Sequence, residues 1–200
     1  LSVGVLESVT EREVARINDN GEEREEIVEP LTNFLVGRVM QDFNQGNTII
    51  GGMLTSTNRF WEGDQFDGEL HRDAYSGGID FLHRWNNQTW KVEGSFMASR
   101  VEGTPEMLIN TQTAFEHLFQ RPDADHLEID STATSLTGYG GNFEFGKVRG
   151  NFTFATGANW RSPRLELNDI GFLTQTDLIN QYLFARYQIN QPDGLFRNYA

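Results

Sequence analysis

The chain of 200 residues has no cysteine, only 5 prolines, 16 basic residues against 29 acidic ones, and no long hydrophobic run. Without cysteine there is no disulfide framework and no thiol chemistry, although this says little about compartment. A net charge of −13 argues against a nucleic-acid partner and against a polybasic surface for anionic lipid. No segment approaches the roughly 20 apolar residues of a membrane helix, which excludes a helical integral membrane protein. A β-barrel is not excluded, because its strands show apolar side chains to lipid on one face only and can average a mean hydropathy as low as the −0.51 found here.

What the chain does have is a rhythm. Segments of about ten residues alternate apolar and polar side chains, as barrel strands do. The gaps between them are alternately very short and very long. The short ones are Asn44-Gln45-Gly46-Asn47, Asn86-Asn87-Gln88, Lys147-Val148-Arg149-Gly150-Asn151 and Asn190-Gln191-Pro192-Asp193-Gly194, all residues that tolerate tight-turn dihedrals. The long ones run roughly over Asn18–Pro30, Phe60–Ala74, Glu102–Thr132 and Ser162–Asp177. A soluble sandwich has no reason to gather its short turns at one end, whereas a transmembrane barrel does. The fold class expected is therefore all-β: an antiparallel transmembrane β-barrel, about eight strands of a larger one, with long outer loops and one short helix. Leu1–Leu6 lacks the basic start of a signal peptide and alternates at once, while Leu195–Ala200 follows a turn as a strand would begin. The expectation is a single barrel segment over 1–200, cut from a longer chain.

Strand 1 is expected over Leu1 to about Ile17, strand 2 over Leu31–Phe43, strand 3 over Thr48–Asn58 and strand 6 over Ser135–Gly146. Strand 7 follows over Phe152–Arg161 and strand 8 over about Leu178–Ile189. Strands 3 and 8 are too mixed to orient. The clearest hairpin joins strands 4 and 5: Tyr75, Gly77, Ile79, Phe81, His83 and Trp85 share a face with Trp90, Val92, Gly94, Phe96 and Ala98. Asp80, Arg84, Lys91 and Glu93 fall on the opposite face. The proposed lipid side carries Ile79, Phe81, Val92, Phe96, Phe143 and Phe154. Trp85 and Trp90 flank a short turn while Trp61, Tyr75 and Trp160 lie toward long loops, as two interfacial girdles would have them. Ten steps from Tyr75 to Trp85 along a tilted strand give about 25 Å of height, that of an outer-membrane apolar band.

In the long third gap Thr104 can cap a helix with Pro105 at its first position, and Leu108, Phe115, Leu118 and Phe119 line one side before Arg121-Pro122 ends it. The helix either packs loop against loop or plugs the barrel. Arg38, Asp80, Arg84, Lys91, Glu93, Glu144 and Arg161 alternate with lipid-facing residues, to pair across strands or line a polar lumen. Asp123, Asp125, Glu128 and Asp130 bring oxygen donors close together but lack the glycine and terminal glutamate of an EF-hand, so a solvated acidic loop is favoured over a metal site. The cluster Asp64, Asp67, Glu69, His71 and Asp73 is no better, and His71, His117 and His126 all fall in loops. No nucleophile motif or metal-ligand spacing appears, so neither an enzyme nor a cofactor is expected.

Five stretches, taken together, point to a family: 33–38 with 42–55 (NFLVGR and DFNQGNTIIGGMLT), 120–125 (QRPDAD), 138–141 (GYGG) and 160–171 (WRSPRLELNDIG). They resemble the C-terminal barrel region of large Gram-negative outer-membrane proteins whose N-terminal part is similar to a family 9 carbohydrate-binding module. The resemblance implies a surface-exposed barrel and transfers no activity. The glycan-binding-like part is absent here, so no residue inherits that role. The expected setting is the outer membrane of a Gram-negative bacterium. There the chain would pass or capture a solute, or support a surface complex, with outer-membrane lipid, a surface glycan or solute and other outer-membrane proteins as partners. The rival readings are a soluble or periplasmic β-sandwich holding glycan on Trp61, Tyr75 and Trp160, and an outer-membrane lipid hydrolase.

Overall fold

The computed structural model describes residues 1–189 and shows an all-β chain of ten strands with one short helix. Eight strands form one antiparallel sheet: β1 (Ser2–Thr10), β4 (Leu31–Phe43), β5 (Thr48–Phe60), β6 (Asp73–Trp85), β7 (Trp90–Glu102), β8 (Ser135–Lys147), β9 (Phe152–Arg161) and β10 (Leu178–Tyr187). They lie side by side in chain order, β1-β4-β5-β6-β7-β8-β9-β10. Such a meander puts the connections 44–47, 86–89 and 148–151 at one pole and every long connection at the other. The short turns close tightly because Asn44, Gln45 and Gly46, and likewise Asn86, Asn87 and Gln88, adopt consecutive positive φ values.

Continuous register carries one alternation across the sheet. Val5, Gly37, Leu54, Gly77, Ala98 and Tyr139 stand opposite one another strand by strand, and so do Val39, Gly52, Ile79, Phe96, Gly141 and Trp160. This face is apolar and open: Leu54 is 71% exposed, Ile79 66% and Ile179 73%. Large side chains lie over glycines, with Leu54 across Gly77, Phe81 across Gly94 and the Trp160 ring across Gly141. The other face carries Arg38, Asp80, Arg84, Lys91, Glu93, Glu144 and Arg161, all in phase. The register also orients the two strands the sequence left open. Ile50, Gly52 and Leu54 are on the apolar face and Gly51 on the polar one, while Tyr182 is polar-facing and Ile179 and Leu183 apolar-facing.

Two expectations are corrected. Strand 1 ends at Thr10 instead of about Ile17, because the chain leaves the sheet to make a separate ribbon of β2 (Glu13–Asp19) and β3 (Glu22–Glu29) where a loop was expected. Asn20 and Gly21, both at positive φ, turn it, and Arg16–Glu25 and Arg24–Glu26 contacts at 3.3 Å line it. The helix α1 (Pro105–Thr113) is shorter than expected. Thr104 caps it as foreseen, but Ala114 leaves helical geometry long before Pro122. Strands β1 and β10 do not pair, so the eight-stranded sheet does not close into a barrel among the described residues. Trp61 lies in the loop after β5, within the long gap expected over Phe60–Ala74, edge-on to Phe66 at 5.8 Å and beneath the Arg72 guanidinium at 4.3 Å, its Nε1 donating to Asp67. The turn expected at 190–194 and the strand beginning at Leu195 lie outside the described residues.

The buried apolar residues gather at the long-loop pole. Ala74, Val101 and Leu136, on the polar-facing side near the ends of β6, β7 and β8, pack with Leu108 of α1. Phe66, Phe119, Leu165 and Leu173 are buried in the loops themselves. The segment after β9 folds down onto the polar face, where a Cβ on Gly138 would sit 2.1 Å from the Leu165 nitrogen. Gly138→Ala is therefore expected to lift this segment and cost about 1–3 kcal/mol by overpacking. Gly37→Ala, with nothing within 4 Å of the added carbon, should be near neutral in the same urea titration followed by tryptophan fluorescence.

Candidate functional site

The polar face holds two charge clusters, each built over small residues. Arg38 of β4 grips Asp80 of β6 with both terminal nitrogens, Nη2 to Oδ1 at 2.9 Å and Nη1 to Oδ2, reaching across the intervening strand β5. The reach needs Gly51 beneath it, since a Cβ there would lie 2.5 Å from Arg38 Nη2 and 2.8 Å from both Asp80 oxygens. Toward the short-turn pole, Lys91 Nζ donates to Glu93 at 2.9 Å and contacts Glu144 of β8 at 2.6 Å. The Tyr182 hydroxyl donates to Glu144 Oε2 at 2.7 Å, its ring passing over Gly157. Arg84 has no carboxylate partner among the described residues, and Arg161 donates to the Gln175 carbonyl. The sequence placed these seven side chains on one face. It could not show that one pair skips a strand.

Residues 162–177 form a strap across the long-loop end of this face. Ser162 joins it to β8, its Oγ accepting from the Tyr139 N–H at 2.8 Å, and the Glu166 N–H donates to Ser99 Oγ of β7 at 2.9 Å. Two histidine contacts then fasten it to the other loops. His71 Nδ1 lies 2.9 Å from Asp169 Oδ2 and its Nε2 lies 2.8 Å from Thr111 Oγ1 of α1, while Arg59 of β5 donates to Asp169 Oδ1 at 2.5 Å. His117 presents Nε2 to Glu166 Oε2 and donates from Nδ1 to the Pro163 carbonyl, both at 2.8 Å.

Burial alone would push the imidazolium of His117 down, but the Glu166 hydrogen bond, the Pro163 carbonyl and nearby negative charge outweigh it, so its pKa is raised. Burial would raise Glu166, yet the His117 hydrogen bond and the Asn168 N–H hold it below the usual carboxylate range. Asp169 is likewise lowered against the effect of burial, by His71 and Arg59. None of these four strap partners, His71, His117, Glu166 and Asp169, was assigned a role from sequence. His71 and His117 could be placed only in loops, and Glu166 and Asp169 appeared only inside the stretch 160–171, because the pairs join residues far apart in the chain.

The strap leaves two spaces. One, of about 290 Å³, lies between Leu167 and Ile170 and the polar face at Met53 and Met97. The other, of about 400 Å³, opens between α1, the 68–71 turn and Asn168. The helix packs on the loop-end residues of β6, β7 and β8 through Leu108, and the strap lies beside it over the same face. At the opposite pole Trp85, Trp90, Phe145 and Phe154 form a continuous cluster on the apolar face, with Trp85 and Trp90 stacked at 6.3 Å. Phe96 and Tyr139 stack farther toward the loops. Among the described residues no three His, Asp or Glu side chains are grouped to hold a metal ion. Asp123 pairs instead with Arg121, and Asp130 accepts from Thr132.

The His117–Glu166 contact has a pH window. The raised His117 contributes stability fully below its ordinary 6.5 and loses it as pH rises through the raised value; the lowered Glu166 contributes above its ordinary 4.5 and loses it as pH falls. Amide protection over 162–177, taken relative to the intrinsic base-catalysed exchange rate at each pH, should accordingly be greatest between these limits and fall on the alkaline side. His117→Ala, which strands a buried carboxylate, should cost about 3–5 kcal/mol and remove the alkaline limb. An unchanged exchange profile would show that the pair does not fasten the strap.

One family model, described as a domain of unknown function (DUF5916), matches residues 1–200. No curated protein and no solved structure matches the chain.

Proposed function

The chain belongs to the DUF5916 family, to which no function is assigned, and from that premise we propose that it is a segment of an outer-membrane β-barrel of a Gram-negative bacterium. Its work there is to pass or capture a solute at the cell surface, or to support a surface complex. The observation that carries this reading is an apolar sheet face open along its height, with no second layer against it among the described residues. Val5, Val39, Ile50, Leu54, Ile79, Phe96 and Ile179 are all exposed on it. Water disfavours so large an apolar surface, whereas hydrocarbon tails would cover it.

Three features support the reading. The short turns share one pole, as periplasmic turns would. The Trp85–Trp90–Phe145–Phe154 cluster stands at that pole, where an interface would favour amphipathic rings. The polar face keeps Arg38 paired with Asp80, and Lys91 with Glu93 and Glu144, on the side away from the apolar residues, as suits a lumen. The free edges of β1 and β10 are then where further strands add, since an unpaired edge cannot lie in hydrocarbon. Long acidic loops and the β2–β3 ribbon face outward. The sandwich alternative needs a layer over the apolar face, and among the described residues the other sheet is the exposed β2–β3 ribbon. The association with a glycan-binding-like module remains part of the proposal.

Replacing Phe96 with Arg on the apolar face should cost about 2–4 kcal/mol of membrane-state stability if it lies near the bilayer centre. Ser95→Arg, one residue away on the polar face, should be better tolerated. Detergent extraction and the mobility of the unheated protein on a gel are the readouts. A chain that is soluble without detergent, or Phe96→Arg assembling like the wild type, contradicts the proposal.

A further inference from the structure

The space of about 290 Å³ beneath the strap lies at the small end of ligand cavities, which run from about 300 to 1,000 Å³. It is walled by the thioethers of Met53 and Met97 and roofed by Leu167 and Ile170. Gly78 is among its lining residues and lies close against β7, where a Cβ would sit 2.6 Å from the Phe96 carbonyl. Against this apolar lining stand a few convergent polar groups. Thr55 Oγ1 and Ser76 Oγ are bonded to each other at 2.6 Å, which leaves spare acceptor capacity on one and a donor on the other. Among the described residues its charged lining is Arg38 and Asp80, and they neutralise each other. Because only the two terminal nitrogens of Arg38 engage Asp80, part of its five-donor guanidinium is still available.

We infer that this cavity is a binding site for a small uncharged amphiphile, a molecule with one hydroxyl or carbonyl group on a short apolar body. The head bonds to the Thr55–Ser76 hydroxyls or the free edge of Arg38, and the body lies between the two methionines and the strap. A charged head is disfavoured, because it would be desolvated beside a pair that already cancels and would find no counter-charge. The strap makes the site: without Leu167 and Ile170 the same face is an open sheet surface, so capture depends on the loop contacts described above. The inference rests on the capture side of the proposed function, and it needs the strap and polar face rather than the bilayer.

A diazirine analogue of octanol, photolysed with the full chain in detergent, tests it by mass-spectrometric mapping of the labelled residues. Saturable labelling of Met53, Met97, Leu167 or Ile170 is expected, displaced by octanol and at least tenfold less well by octanoate or octylammonium. Met97→Trp should abolish that labelling by filling the cavity. Thr55→Val with Ser76→Ala, which removes the hydroxyls at nearly constant volume, should weaken it about tenfold. Both variants should leave non-saturable labelling of Ile50 and Phe81, which lie on the apolar face away from the cavity, unchanged. Labelling confined to the apolar face, equal displacement by octanoate, or insensitivity to both variants overturns the site. Gel mobility of the unheated protein is read on the same samples. A chain that assembles without cavity labelling defeats this inference alone, whereas labelling in a chain soluble without detergent defeats the membrane reading and leaves the site standing.

Discussion

Everything in this fold depends on the period-2 alternation of an antiparallel meander held in register across eight strands. A slip of one residue between any two strands would bring apolar and polar side chains onto the same face. Register is secured at one pole by tight turns of Asn, Gln and Gly at positive φ, and through the sheet by large side chains seated over glycines. The pairing Ile79 with Phe96 and Asp80 with Ser95 follows from the Asn86–Gln88 turn as much as from the strands themselves.

The alternation separates two kinds of stabilisation. On the apolar face there is almost no burial within the chain, so the sheet alone does not make an ordinary hydrophobic core. Burial is concentrated where α1, the 61–72 loop and the strap meet the ends of β6, β7 and β8. The strap is held by buried polar contacts as well as by Leu165, and this couples the loop end of the sheet to the state of His117 and Glu166. Under the proposed function the same element stands between the outside and the polar face, so the contacts that stabilise the loops would also govern access to it.

Much of this was legible in the sequence. The bounds of β4 and β9 were read correctly, and the two faces of β6 and β7 follow from simple alternation. The ribbon was missed because Glu22, Glu23, Glu25, Glu26 and Glu29 read as a solvated run, although Asn20-Gly21 is a strong local hairpin signal. The helix was overextended because Phe115, Leu118 and Phe119 keep helical spacing. The chain turns instead at Ala114 and Leu118, the latter at positive φ, to bury Phe119 and bring His117 to Glu166.

The sequence by itself determined most strands of the sheet, the two faces of β6 and β7 and the pole of the short turns, because alternation and turn chemistry are local and repeat with a fixed period. Only the tertiary structure decided which charges meet, that residues 162–177 lie on the polar face, and that β1 and β10 stay unpaired within the described residues. Those outcomes join positions such as His71 and Asp169, brought together by how loops of irregular backbone pack, and no local period encodes such contacts.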